Sequence, residues 1–350
     1  MTHPLFEQMK DEPAYDGQPA KLVELENASG MRAVFMDIGA TWLSCSLPLA
    51  NGESREVLLG VDSMQNFKRQ QSYMGVTVGR YANRIAKGAF TLNGHDYVAD
   101  INQNGNSLHG GAKGFHALRW EIENQSKASV TFAIHSPDGD QGFPGNVVVK
   151  ATYTLSDDNA LQIDYFAETD KPTPLNMTNH AYFNLDGTEH TCLEHELWLD
   201  APWYLPIDEV GIPNQDPTPV TGTGFDFTSA KTLGQDLLTD AQQKPHQGYD
   251  HAYLFDGKRD VSQAVARLIG ADKQVTLHVY TDKPAIQLYS GNWLAGTPGR
   301  GGQEYQAYNG VALETQFLPD SPNHLDWPQP SCILEPNQTY QSSTRYAFSC

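Results

Sequence analysis

Apolar and polar residues alternate with a period of two through much of the chain. Val130, Phe132 and Ile134 interleave with Thr131, Ala133 and His135, and Val147, Val149, Ala151, Tyr153 and Leu155 with Val148, Lys150, Thr152 and Thr154. Leu161, Ile163, Tyr165 and Ala167 follow the turn-like Ser156-Asp157-Asp158-Asn159, and Val275, Leu277 and Val279 alternate with Thr276, His278 and Tyr280. Successive side chains of a strand face opposite ways, so this pattern predicts half-buried antiparallel strands. Asn93-Gly94, between Phe90-Thr91-Leu92 and His95-Asp96-Tyr97, predicts a tight hairpin. Asp138-Gly139, Pro144-Gly145 and Asp256-Gly257 mark further turns. Helical periodicity is scarce: residues 229–241 are expected to hold a short helix, and residues 261–269 fit either helix or strand. The expectation is an all-β fold, a large antiparallel β-sandwich spanning residues 1–350 as one domain, with long functional loops.

Composition narrows the function. At 350 residues, 39% hydrophobic and 19% charged, the chain can bury a large core. A net charge of −19 argues against nucleic acid, whose phosphates need clustered Lys and Arg, and against anionic membrane surfaces. Cys45, Cys192, Cys332 and Cys350 form no C-x-x-C pair, which argues against a zinc knuckle or a dense disulfide framework. Residues 1–17 lack the basic start and apolar run of a secretory signal, and no window approaches a bilayer span. Reduced cysteines in a cytoplasmic protein are the expectation.

The candidate chemistry lies in separate polar stretches. Thr178-Asn179-His180-Ala181-Tyr182-Phe183-Asn184 sets a histidine among amides and aromatic rings, a combination suited to proton transfer on a ligand such as a sugar. Val311-Ala312-Leu313-Glu314 places a carboxylate among apolar neighbours, and burying it is costly unless it is paired or functional. Asn83-Arg84, His109-Gly110-Gly111 and Tyr249-Asp250-His251 complete the set. Each has a plainer reading: Arg84 pairing a surface carboxylate, His109 capping a turn, His180 satisfied in the core, Asp250 in an exposed turn. His109, His180, His251 and Glu314 would suit a metal, but no H-x-H or H-x-x-x-H spacing supports it. A serine hydrolase elbow, G-x-S-x-G, is absent.

These stretches, taken in order, resemble the aldose 1-epimerase (galactose mutarotase) family. The similar pieces are Gly79-Arg80-Tyr81-Ala82-Asn83-Arg84-Ile85, Leu108-His109-Gly110-Gly111 with Gly114-Phe115 and Trp120, and Asp138-Gly139-Asp140-Gln141-Gly142-Phe143-Pro144-Gly145. They continue through the His180 stretch, Tyr249-Asp250-His251, Tyr289-Ser290-Gly291-Asn292 and the Glu314 stretch. The first 20 or so residues carry no matching motif. The resemblance implies a sandwich of the galactose mutarotase type, with His180 as general acid, Glu314 as general base, and Asn83, Arg84, His109 and Asp250 as substrate-binding residues. It implies a free monosaccharide as the small-molecule substrate and no cofactor or metal. Trp42, Trp203 and Trp293 are candidates to stack on the sugar. The rivals are a hexose 6-phosphate epimerase, a glycosidase using Glu314 and Asp250, and a sugar sensor without chemistry.

Overall fold

The long alternating segments form one nine-stranded antiparallel sheet. The computed structural model describes residues 3–350. The sheet runs in the order Glu121–Gln125, Ser129–Ser136, Val147–Ser156, Ala160–Thr169, Tyr340–Ser349, Thr276–Thr281, Ala266–Ile269, Glu196–Leu199, Lys231–Thr232. The last strand of the sequence, Tyr340–Ser349, is thus inserted between Ala160–Thr169 and Thr276–Thr281, two strands that are themselves more than 100 residues apart.

A six-stranded antiparallel sheet faces it, ordered Tyr182–Phe183, Val311–Gln316, Ala285–Tyr289, Asp250–Leu254, Trp203–Tyr204, Thr218–Pro219. Ile286, Leu288, Val311 and Leu313 of this sheet share one core cluster with Leu277, Val279, Tyr153 and Tyr346 of the other. The phenol of Tyr346 donates to the Leu313 carbonyl across the interface at 3.1 Å. A four-stranded antiparallel sheet, Leu22–Glu26 to Ser54–Glu56, adds Val23, Leu25, Phe35 and Trp42 to the same core.

The Asn93-Gly94 hairpin forms as expected, Leu92 opposite His95. Both turn residues have positive φ, 51° and 78°, as a type I′ turn requires. Residues 229–241 hold no helix: Lys231–Thr232 pairs with Glu196–Leu197 as an edge strand, and reverse turns follow. Sheet pairing outweighs the weak local preference there. Within residues 261–269 only Ala266–Ile269 is regular, as a strand. Among the described residues the α-helices are two short ones, Leu5–Met9 and Met64–Arg69. Among the described residues no helix is long and apolar enough to cross a membrane.

Residues 12–15 pack against the second helix. Glu12 accepts from the Gln65 N–H at 2.9 Å, Lys68 donates to the Pro13 carbonyl at 2.8 Å, and Tyr15 packs on Phe67.

Candidate functional site

Strand alternation creates the floor of a cleft on the six-stranded sheet. Val311 and Leu313 point into the core between the sheets, so Glu314 points out of the other face, yet it remains only 2% exposed because the cleft walls cover it. Glu314 pairs with Gln287 on the neighbouring strand, and Asp250 with Tyr289. The Gln287 amide donates to Asp250 Oδ1 at 2.7 Å and in turn accepts from Gln316 at 3.4 Å. Asp250 is therefore held by the sheet and is not an exposed turn residue.

His180 follows the two-residue strand Thr178–Asn179. Its N–H donates to the Val76 carbonyl at 2.9 Å, and its own carbonyl accepts from Gly75 at 2.8 Å. Asn179 spends its amide on the Gly75 carbonyl at 2.7 Å, which makes it scaffolding. The His180 ring lies between Tyr73 and Tyr182, with centroids 6.1 and 4.9 Å away. Its Nε2 stands 3.5 Å from Glu314 Oε1.

Asn83 and His109 sit on the opposite wall in left-handed conformations, φ 66° and 52°. The pairing of Arg84–Ile85 with Ser107–Leu108 brings them together. Gly110 makes this approach possible: a Cβ there would fall 2.1 Å from the Gly79 carbonyl oxygen. Arg84 donates through Nε to Gln103 Oε1 at 2.9 Å, and its Nη2 stands 3.7 Å from Asp250 Oδ2. It does face a carboxylate, but one inside the cleft. All six residues expected from the sequence thus line one cavity of about 550 Å³, within the range of small-molecule sites.

Burial dominates the electrostatics. It holds the Glu314 carboxyl well above the usual carboxylate range, with the Asp250 charge adding to the effect and Arg84 opposing it. Burial also lowers His180 to about 4 and holds His109 well below the usual histidine range. His180 Nδ1 and Glu314 Oε2 are buried without a protein partner. Such orphaned groups are rare in native interiors and suit a polar ligand that completes them.

His109, His180 and Glu314 each offer a ligand atom, all within 4.8 Å of one another. Sequence spacing gave no hint of this trio, because three distant loops and strands supply it. The donor set fits a metal poorly. The Asn83 N–H donates to His109 Nδ1 at 3.2 Å, so the neutral ring carries its proton on Nε2 and acts as a donor, not a ligand. His251 stands outside the trio: it packs against Phe225, and its Nδ1 accepts from the Asp250 N–H.

The other motifs divide into scaffold and cleft. Arg80 is buried and donates to Ser136 Oγ and to the carbonyls of Ser136, Pro137 and Pro144 at 2.8–2.9 Å, which pins the residue 138–145 loop. Trp42 is in the core against Phe183, and Trp203 lines a separate cavity with Trp327. Only Trp293 of the three candidates lines the cleft, 57% exposed at its mouth. Gln287, Gln103 and Tyr73 were missed in the sequence. None stands in a chemically distinctive stretch, and strand register alone could have flagged Gln287.

Comparison with known proteins identifies the family. The family model for aldose 1-epimerase matches residues 21–347. The chain is 49% identical to an aldose 1-epimerase of Escherichia coli over 335 residues, 96% of this chain and 97% of that one. It is 38% identical to the galactose mutarotase of Bos taurus over 321 residues, 91% of each. Its structure resembles that of an aldose epimerase homologue from C. elegans, with a TM-score of 0.86 and 31% identity over 94% of this chain and 99% of that one. The chain belongs to the aldose 1-epimerase family.

Proposed function

We propose that this protein interconverts the α and β anomers of free hexoses such as glucose and galactose by acid/base ring opening and reclosure. The observation that carries the reading is the His180–Glu314 pair, 3.5 Å apart on the floor of a cleft ringed by hydroxyl-binding groups. Burial disfavours charge on either member alone, so the pair holds one proton between them. In the reactive arrangement that proton is on His180 and Glu314 is ionised. Glu314 takes the proton of the C1 hydroxyl while His180 gives its proton to the ring oxygen, and the C1–O5 bond opens to the aldehyde. Rotation about C1–C2 presents the other carbonyl face. The return of both protons closes the ring as the other anomer, and the pair ends as it began.

Asn83, Arg84, His109 and Asp250 hold the sugar hydroxyls and ring oxygen. Donors and acceptors at fixed positions suit this task, and the rigid guanidinium fork of Arg84 is best matched to paired oxygens. The charged lining comprises Arg69 and Arg84 against Glu209, Asp250 and Glu314. That balance favours neutral sugars over sugar phosphates. The acid/base exchange calls on no redox partner. The chain is read as one sandwich unit acting in the cytoplasm, in keeping with cysteines that are all unpaired.

Polarimetry of freshly dissolved α-D-glucose and α-D-galactose tests the reading. Wild-type protein speeds mutarotation and Glu314→Gln does not. Sugar binding without acceleration by the wild type would replace it with the sensor reading.

A further inference from the structure

Tyr73 is a residue of the cleft wall that the acid/base scheme leaves unused. Its ring stacks on His180 (centroids 6.1 Å apart, planes 22° apart) and meets His109 edge-on at 4.6 Å and His116 edge-on at 4.9 Å. Tyr73 also lines, with Gln70, Gln71, Gln103 and Leu108, both the sugar cleft and an adjoining cavity of about 410 Å³ that reaches Tyr15, Phe67 and His116. Tyr73 has a φ of 56°, a region that a bulky residue rarely adopts unless its surroundings impose it. Those surroundings are specific. Gln70 Oε1 accepts from the N–H groups of Ser72 and Met74 at 2.9 and 3.4 Å, fixing the loop on either side. The next residues, Gly75 and Val76, bond the backbone of His180 on both sides. Ring and main chain therefore grip the same histidine.

We propose that Tyr73 is a positioning residue that fixes the His180 ring for proton transfer and screens it from the adjoining cavity. This rests on His180 being the acid of the reaction. Tyr182 supports the other side of the His180 ring at 4.9 Å but lies on the sheet floor, so removal of Tyr73 alone frees the ring to tilt toward the adjoining cavity. Displacement of a reacting group by about 1 Å can cost on the order of 100-fold in rate.

The test compares wild type, Tyr73→Asn, Tyr73→Phe and His180→Asn by polarimetry, with kcat and KM separated. Asparagine tolerates the left-handed backbone, so it deletes the ring without adding strain. The expected result for Tyr73→Asn is a kcat lower by roughly 10- to 100-fold with KM within about threefold. Tyr73→Phe should recover most of that loss, because ring packing and not the hydroxyl is the working part. A Tyr73→Asn variant with wild-type kcat, or a Phe variant as slow as Asn, overturns the proposal. If Tyr73→Asn does not melt cooperatively, Tyr73→Phe and Tyr73→Leu take its place: equal kcat in Phe and Leu overturns it. Unchanged activity in His180→Asn would instead remove the acid assignment itself.

Discussion

Asn83 and His109 hold each other through a reciprocal pair of hydrogen bonds. The Asn83 N–H donates to His109 Nδ1 at 3.2 Å, and the His109 N–H donates to the Asn83 carbonyl at 3.1 Å. One consequence is a fixed tautomer, with Nε2–H free to donate into the cleft. His109→Phe keeps a flat aromatic ring and removes that donor together with the Nδ1 acceptor of the Asn83 N–H. It should raise KM by roughly 10-fold, the worth of one to two hydrogen bonds, with a smaller effect on kcat. Steady-state polarimetry over a range of galactose concentrations decides it; an unchanged KM would show that the donor does not meet the sugar.

Glu314→Gln should separate chemistry from stability. The amide cannot take a proton, so turnover should fall by roughly 10²–10⁴-fold. It also carries no charge to bury, and the carboxyl it replaces is nearly inaccessible to water. The variant should therefore melt at or above the wild-type temperature. A large drop in melting temperature in calorimetry would mean that Glu314 has a structural partner beyond those described.

Buried histidines should set the acid limit of stability. His180, His116 and His195 are lowered to about 4 and His251 to about 3, in each case first by burial. Their folded values lie below the unfolded value near 6.5, so the unfolded chain binds protons that the native state refuses. Their contribution is complete above pH 6.5 and is lost as pH falls toward 4. Each such histidine costs about 1.4 kcal/mol per pH unit across that window. Glu314, Asp37, Asp282 and Asp320 act in the opposite sense, since burial raises their carboxyls and so weakens stability as pH climbs through the range where they ionise. The melting temperature should drop steeply between pH 6.5 and 4.5, and a flat profile there would contradict the burial of these rings.

Gly110→Ala should damage the site from behind. Its φ of 82° and the 2.1 Å approach to the Gly79 carbonyl leave no room for a methyl group. The expected cost is on the order of 2 kcal/mol, read as a lower urea midpoint, with sugar affinity reduced because His109 must shift. A midpoint equal to wild type would show that this wall yields without penalty.

Much of this architecture is legible in the sequence, and the gaps have physical causes. Period-two alternation located Ser129–Ser136, Val147–Ser156, Ala160–Thr169 and Thr276–Thr281 because one face of each is less buried than the other. In Val311–Gln316 every residue is buried, so alternation fades and the direction of Glu314 could not be read. The order of strands was out of reach, since the insertion of Tyr340–Ser349 beside Ala160–Thr169 depends on long-range packing. The six expected site residues came from chemical type and family resemblance. Gln287 and Tyr73 are defined by what lies opposite them in space, which no local pattern records.

The segment Gly79-Arg80-Tyr81-Ala82-Asn83-Arg84 carries two arginines of opposite fate, one spent on the residue 138–145 loop and one turned into the cleft. A genetic screen scored on activity alone would not tell them apart, because an altered Arg80 releases the strand that aims Asn83 and Arg84. Sorting loss-of-function alleles in this stretch therefore requires protein abundance alongside turnover: lesions at Arg80 deplete the folded pool, whereas those at Arg84 leave it full and idle.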